Sequence, residues 1–102
     1  MKNSVLVVNR EDEIRGVSIM RPSMFGNPFN IGRDGSREQV IAKFKPYLWN
    51  RVRVDRDFFL AIEHLRGKTL VCCCKPLPCH GDVILSYLEW SLRTDFRPFP
   101  IE

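Results

Sequence analysis

Two short runs dense in apolar residues, with a long segment of helical periodicity between them, constrain the fold more than any other feature. The first run is Val5–Val8 and the second is Lys68–Cys74, which is apolar on both faces. Strands of this composition lie buried inside parallel sheets. Parallel neighbours need a crossover connection, usually helical and right-handed. The runs therefore predict an α/β fold with a minimal Rossmann-like sheet, in which both runs are buried central strands.

The segment between the runs adds a second strand and a first helix. Residues 16–20 alternate in polarity, which predicts a strand with one wetter face. Ser36 and Gln39 have the spacing of a capping box, so a helix should begin there. Pro46 lies within the helical pattern that follows and cannot donate a backbone hydrogen bond, so we expect a kink or a break at this position.

Two more helices complete the predicted element order, β-β-α-α-β-α. Asp55 or Asp57 can cap the second helix, and Gly67 can end it because glycine tolerates the left-handed backbone common at that position. The third helix is predicted from about Val83 to Arg93, where apolar residues recur at helical spacing. The predicted fold is therefore α/β, with about three mostly parallel strands and three helices.

Length and composition favour one small cytoplasmic domain. The chain has 102 residues, so residues 1–93 should form a single α/β domain and residues 94–102 a C-terminal tail. A core of this size is thin, which leaves room for stabilisation by zinc or by a second copy in a homodimer. The apolar run near the N-terminus is too short for a signal-peptide core or a membrane span, so we expect reduced thiols. The net charge of +4 favours acidic partners such as nucleotides or nucleic acid.

Two loops leave the carboxyl ends of predicted strands, and we expect the functional site between them. They are Arg21–Phe29 and Cys74–Asp82. In open α/β sheets, ligands bind beyond the carboxyl ends of the strands. The first loop belongs to a long stretch rich in Pro, Gly, Asn and Asp, and ordered loops of that length are usually functional.

The first loop carries groups suited to a nucleotide. Arg21 can place its guanidinium on a phosphate, or it can tie the loop to its own backbone. Asn27 is held extended by the proline that follows, so its amide can read a base or ribose, or satisfy loop carbonyls. Phe29 can stack on a base or anchor the loop to the core. Across both loops, the predicted ligand-binding residues are Arg21, Ser23, Gly26, Asn27, Phe29, Arg33, Gly81 and Asp82.

The second loop supplies a candidate catalytic pair, Cys79 and His80. Both stand just before a predicted helix, whose dipole favours a thiolate at that place. His80 can act as a general acid or base. Asp82 would compete with an anion for the N–H groups of the first helical turn, so we place it on a base or sugar and any phosphate nearer Arg21.

Zinc binding is an alternative function for the second loop. Cys74, Cys79 and His80, with a fourth ligand from elsewhere, are ligand types that zinc prefers. Cys72 would complete a set of four. However, Cys72 and Cys74 would lie roughly 6.5–7 Å apart on one strand face, whereas zinc takes its close pairs from turns.

A purely structural account of the second loop needs no ligand. Cysteine outside disulfides is among the most buried residue types, so Cys72 and Cys73 are predicted to pack in the core. His80 and Asp82 can cap the loop and the helix, which is a common role for Asp.

Three motifs connect the chain with a known family. They are RPSxxGNPF at Arg21–Phe29, GxDGS at Gly32–Ser36 and CxCxPxxCHGD at Cys72–Asp82. In this order and spacing they resemble a family of short proteins of unknown function from bacteriophages and other viruses, bacteria and archaea. The resemblance covers roughly Val7 to Leu92. It implies no settled activity, although the frequent phage context suggests nucleotide or DNA-base metabolism.

These observations predict a small protein that binds a nucleotide or nucleoside between the two loops, and they leave open whether it is an enzyme. One alternative is a non-catalytic, phage or defence-related binder that sequesters a nucleotide. Another is a zinc-stabilised module that binds nucleic acid. Ligand recovered intact would favour the first alternative, and stoichiometric zinc with salt-sensitive DNA affinity would favour the second.

Overall fold

The computed structural model describes residues 6–9, 16–73 and 77–99. Within these ranges the chain forms three strands and three helices in the predicted order. The elements are β1 (Leu6–Asn9), β2 (Val17–Ser18), α1 (Arg37–Val54), α2 (Arg56–Glu63), β3 (Thr69–Cys72) and α3 (His80–Thr94). The predicted α/β fold class is thus confirmed.

The three strands form one parallel sheet in the order β1-β3-β2. Its register pairs Leu70 with Val7 on one side and with Val17 on the other. The prediction of a central position is therefore right for β3 and wrong for β1, which lies at the edge of the described sheet. A continuous apolar run is expected both in a central strand and in an edge strand that a helix covers. Helix α3 packs against β1, so this edge strand has the composition of a central strand.

Helix α1 begins at the predicted capping box and is longer than the sequence indicates. Gln39 donates its backbone N–H to the Ser36 hydroxyl over 3.2 Å, and the Gln39 side chain accepts the Ser36 N–H over 2.8 Å. The helix then continues past Pro46 to Val54, so the predicted break is absent. Pro46 and Ala42, whose carbonyl loses its helical donor, are both exposed, and water can solvate that carbonyl.

The boundaries of the other helices also depend on caps. Asp55 caps α2, because its carboxylate accepts the backbone N–H of Phe58 over 3.1 Å. Gly67 has a φ of +78° and lies in the turn before β3. Helix α3 begins at His80, three residues before the predicted start, because Cys79 acts as its N-cap. The CHGD segment is therefore the first turn of a helix and its cap, rather than a loop before the helix.

The core lies between the sheet and the helices. Its fully buried side chains include Phe44 and Leu48 of α1, Phe58 and Phe59 of α2, and Tyr87 of α3. No helix among the described residues is both long enough and apolar enough to span a bilayer.

The part of the predicted tail that the structure describes packs against this core. Helix α3 extends to Thr94, and Phe96 then lies 4.9 Å from Trp90 between ring centroids. Phe99 contacts Phe59 at 5.8 Å in the same way. Residues 95–99 thus cover apolar surface left by α2 and α3.

Candidate functional site

A cleft of about 290 Å³ lies where β2 and β3 end, between the first loop and the start of α3. Its polar lining consists of Arg21, Asn27, Asn30, Arg37 and His80, together with the thiols of Cys72, Cys73 and Cys79. Its apolar lining consists of Met20, Phe29, Ile31, Val40, Ile41 and Pro78. Residues from both predicted loops thus share one concave surface.

Two guanidinium groups stand in the lining of the cleft, and the described lining residues include no carboxylate. Arg21 donates from Nη1 to the carbonyl of Asn27 over 3.3 Å and to the side-chain oxygen of Asn30. Arg37 donates from Nη1 to the carbonyl of Pro78 over 3.3 Å. Each guanidinium carries five N–H donors, so anchoring through Nη1 leaves further donors for an anion.

Internal hydrogen bonds hold the first loop in shape. The Asn27 amide donates to the Val40 carbonyl over 3.1 Å and accepts the N–H of Phe29 over 2.9 Å, so it ties the loop to α1. The Ser23 hydroxyl accepts the N–H of Phe25 over 3.1 Å. The bonds of Asn27 correspond to the structural role that the sequence allowed for it, and Ser23 is not among the residues that line the cleft.

Gly26 lies beneath Arg21 rather than in the cleft. A Cβ at this position would stand 2.8 Å from Arg21 Cγ and 3.1 Å from Arg21 Cα. Only glycine permits this close approach without a shift of the neighbouring chain. Gly26 therefore supports the position of Arg21.

Phe29 lines the cleft, whereas Arg33 does not. The Phe29 ring meets Tyr47 edge-on at 6.1 Å between centroids, which anchors the loop to α1. Arg33 is 68% exposed and pairs with the neighbouring Asp34 at 3.0 Å. The backbone N–H of Asn30 and the Arg33 guanidinium lower the pKa of the Asp34 carboxyl. This acid is thus a turn-forming group outside the cleft.

The first turn of α3 explains the roles of Gly81 and Asp82. The Asp82 carboxylate accepts the N–H of Cys79 over 3.2 Å, and the Cys79 sulfur accepts the N–H of Gly81 over 3.3 Å. Asp82 is exposed and does not line the cleft. Gly81 is buried against Ile19 and Val7, where a Cβ would approach their side chains to 2.8 and 2.9 Å. Both residues place the helix, and neither faces the cleft.

His80 is held firmly at the floor of the cleft. Its side chain is only 8% exposed, and its Nε2 lies 2.8 Å from the Ile19 carbonyl and 3.1 Å from the Phe25 carbonyl. Because carbonyls only accept hydrogen bonds, Nε2 must carry the proton. Burial lowers the pKa of His80, so the neutral ring is favoured. The lone pair of this tautomer is on Nδ1.

The structure brings Cys72, Cys79 and His80 together. One ligand atom from each lies within 4.8 Å of the others, and all three residues are buried. The predicted pair of Cys79 and His80 is therefore joined by Cys72, the last residue of β3. Cys74, which the sequence placed in a metal set, lies outside the described residues.

Two cleft residues were missed or assigned a different role. Cys73 was predicted to pack in the core, but it is exposed and lines the cleft, because it follows the last residue of β3 and leaves the sheet. The sequence places Arg33 and Arg37 beside the start of α1, where an anion is favoured, but only Arg33 was predicted to bind a ligand. The structure has Arg37 in the lining of the cleft.

Comparison with known proteins gives one family and two viral relatives. A family model described as "Domain of unknown function (DUF4326)" matches residues 7–90. An uncharacterized 12.4 kDa protein in the nrdA-td intergenic region of Enterobacteria phage T4 is 38% identical over 92 residues, which cover 89% of this chain and 83% of the phage protein. An uncharacterized protein of Acanthamoeba polyphaga mimivirus is 28% identical over 110 residues, covering 100% of this chain and 80% of the mimivirus protein. No solved structure matches significantly.

Proposed function

The chain belongs to the family described as a domain of unknown function, DUF4326, and we propose that it binds a nucleotide or nucleoside in the cleft between its two loops. The observation that carries the proposal is the lining of the cleft. Two guanidinium groups and several apolar side chains face one concave space, and no carboxylate occurs among the described lining residues. A negative group and a flat apolar ring on one small molecule would match that lining.

The phosphate of such a ligand would lie between Arg21 and Arg37. Both side chains donate from Nη1 to oxygen atoms of the protein, and these bonds favour one orientation of each guanidinium before a ligand binds. Preorganised donors of this kind lower the entropy cost of binding. The dipole of α1 adds a favourable field for an anion at Arg37, in the first turn of this helix.

The base would occupy the apolar side of the cleft. Phe29, Ile31, Val40 and Ile41 line that side, and Asn30 supplies a polar group near Arg21. The volume of about 290 Å³ stands at the lower end of the range for small-molecule sites, roughly 300–1,000 Å³. We therefore favour a mononucleotide over a dinucleotide or a length of duplex.

Catalysis by Cys79 and His80 remains a prediction within this proposal. Cys79 is 1% exposed, and His80 Nε2 is already bound to two carbonyls. Both side chains are therefore better placed to contact a ligand bound in the cleft than to exchange protons with solvent. A non-catalytic, phage or defence-related protein that sequesters a nucleotide would fit the same geometry. Recovery of intact ligand after long incubation would favour binding alone.

Titration calorimetry with ribo- and deoxyribonucleoside monophosphates, the matching nucleosides and single-stranded DNA tests the proposal. We expect binding of at least one monophosphate and at least a tenfold weaker affinity for Arg37→Met, because a hydrogen bond to a charged group contributes about 1.5–3 kcal/mol. Arg33→Met is the matched control, since it removes the same charge outside the cleft, and it should retain the affinity of the unaltered protein.

Three results would contradict the proposal. One is the absence of binding across the whole panel. Another is an equal loss of affinity in both Arg variants, which would indicate general charge attraction rather than a site. The third is binding of DNA alone with a steep salt dependence, which would favour the nucleic-acid-binding alternative.

A further inference from the structure

We propose that Cys72, Cys79 and His80 form a metal site for Zn²⁺ at the floor of the cleft. The three residues are buried, and one ligand atom from each lies within 4.8 Å of the others. This inference goes beyond the proposed nucleotide binding and does not depend on it, because the residues that would bind the metal are separate from Arg21 and Arg37. This set differs from the predicted set of Cys74, Cys79 and His80, because Cys72 is the residue of β3 that lies beside Cys79 and His80.

The fold brings these ligands together from two elements. Cys72 is the last residue of the central strand β3, while Cys79 is the N-cap of α3 and His80 its first residue. The absence of a side chain at Gly81 lets the start of α3 lie against Ile19 and Val7 of the sheet region. Close packing of the helix therefore places the cap beside the end of β3.

The orientation of His80 matches that of a metal ligand. Histidines that bind metals almost always donate the other ring N–H to a carboxylate, a backbone carbonyl or water. Here Nε2 donates to the Ile19 carbonyl at 2.8 Å and also approaches the Phe25 carbonyl at 3.1 Å. The geometry thus assigns Nδ1 as the ligating atom. The Phe44 ring lies edge-on to His80, with 5.0 Å between centroids, and restricts rotation of the imidazole.

Cys79 presents its sulfur to the backbone N–H groups at the start of α3. Its sulfur accepts the N–H of Gly81 over 3.3 Å at the positive end of the α3 dipole. Zinc binds cysteine as thiolate, so this hydrogen bond supports the ligand form of the residue. With Cys72 also a thiolate, the two negative charges would balance Zn²⁺.

The distances and ligand types favour zinc over other divalent ions. Tetrahedral zinc with bonds of about 2.3 Å to sulfur and 2.0–2.1 Å to nitrogen holds its ligand atoms roughly 3.6–3.8 Å apart. The sulfur atoms of Cys72 and Cys79 lie at most 4.8 Å apart, so they need to close by about 1 Å or less. Thiolate and imidazole ligands suit zinc, whereas Mg²⁺ and Ca²⁺ require oxygen ligands.

The fourth coordination position would face the cleft, because all three ligand residues line it. Three protein ligands with one open position is the arrangement of catalytic zinc, in which water or a substrate atom completes the tetrahedron. The metal would therefore lie on the same surface as the proposed phosphate-binding arginines and add positive charge to it.

Metal analysis of the full-length protein tests the site without any nucleotide. Protein purified without chelators should carry zinc near one equivalent by elemental analysis and native mass spectrometry. After removal of the metal, titration with Co²⁺ should give one equivalent of tetrahedral cobalt with a sulfur-to-cobalt charge-transfer band. Cys72→Ser, Cys79→Ser and His80→Ala should each weaken zinc affinity at least about 100-fold, beyond the 10–100-fold typical of groups that only orient a ligand.

Cys73→Ser is the matched control, because it removes the neighbouring thiol without touching the proposed ligand set. It should keep one equivalent of zinc. Peptide mapping after alkylation of the unaltered protein, with and without zinc, adds a readout that does not depend on how the variants fold. Zinc should slow alkylation of Cys72 and Cys79 but not of the exposed Cys73.

Two outcomes would overturn the proposal. In the first, the unaltered protein takes up neither zinc nor cobalt stoichiometrically. A rapidly alkylated Cys79 in such a metal-free protein would point to a reactive thiol–imidazole pair instead. In the second, Cys73→Ser loses the metal as completely as Cys72→Ser does, which would show that the ligand set is wrong.

Discussion

Gly81→Ala should destabilise the protein, although alanine is the better helix former. A Cβ at residue 81 would lie 2.8 Å from Ile19 Cδ1 and 2.9 and 3.0 Å from the two γ-carbons of Val7. Ile19 is fully buried, so its Cδ1 has little space to move into. Val7 is β-branched and has no torsion beyond χ1 with which to yield.

The expected magnitude follows from two opposing effects. Forcing one methyl group into a packed core costs about 1–3 kcal/mol. Replacing glycine by alanine in a helix returns at most about 1 kcal/mol. The net loss in free energy of unfolding should be about 1–2 kcal/mol, which corresponds to a fall in Tm of roughly 5–15 °C for a domain of this size.

Urea and thermal unfolding in the presence of a chelator measure this effect without a contribution from bound metal. Ile19→Val, which removes Cδ1, should cost about 0.5–1.5 kcal/mol alone. The double variant should be at least about 0.5 kcal/mol more stable than the sum of the two single effects predicts, because the deletion relieves part of the overlap. Glu89→Ala, at an exposed position of α3, is the control and should change stability by no more than about 0.5 kcal/mol. Unchanged or increased stability of Gly81→Ala would refute the close seating of α3 on the sheet.

Two further predictions concern single polar groups. Tyr87→Phe should be neutral or stabilising by up to about 1 kcal/mol in urea unfolding. The Tyr87 hydroxyl is buried without a hydrogen-bond partner among the described residues, and burial raises its pKa to about 12. A clear loss of stability would contradict this prediction. Asp34→Asn should destabilise the protein at neutral pH but not in strong acid, because the Asn30 N–H and Arg33 lower the pKa of Asp34 below its usual 3.8. A lowered folded-state pKa contributes stability that is present above about pH 4 and is lost as the pH falls through the folded pKa. The free energies of unfolding of the unaltered protein and of Asp34→Asn, plotted against pH, should therefore converge in strong acid. A constant difference between them at all pH values would exclude the effect.

Local sequence patterns were sufficient for the elements and for the convergence of the two predicted loops at one edge of the sheet. The Ser36 capping box was predicted and is present, and Asp55 forms the cap that was predicted at Asp55 or Asp57. Their hydrogen bonds join residues only three positions apart, so the sequence contains both partners. Parallel strands send their following loops to one edge of the sheet, and this rule placed Arg21, Cys79 and His80 near a shared cleft.

Some boundaries and roles depended on context that periodicity does not carry. Pro46 remains within α1 because the affected turn is exposed to solvent. Helix α3 begins at His80, before its predicted start at about Val83, because Cys79 acts as the N-cap and its sulfur accepts the backbone N–H of Gly81. Cysteine is an unusual N-cap residue. Asp82, expected on a base or sugar, also completes this cap.

The sequence by itself determined the fold class, the element order and the chemical types of the site residues, since these depend on periodicity and short-range hydrogen bonds. Only the tertiary structure decided that β3 is the central strand and that Cys72 converges with Cys79 and His80. It also decided that Arg37 faces the cleft while Arg33 does not. Such choices depend on contacts between residues far apart in the chain, and the pattern around any one residue does not encode which distant partner it will meet.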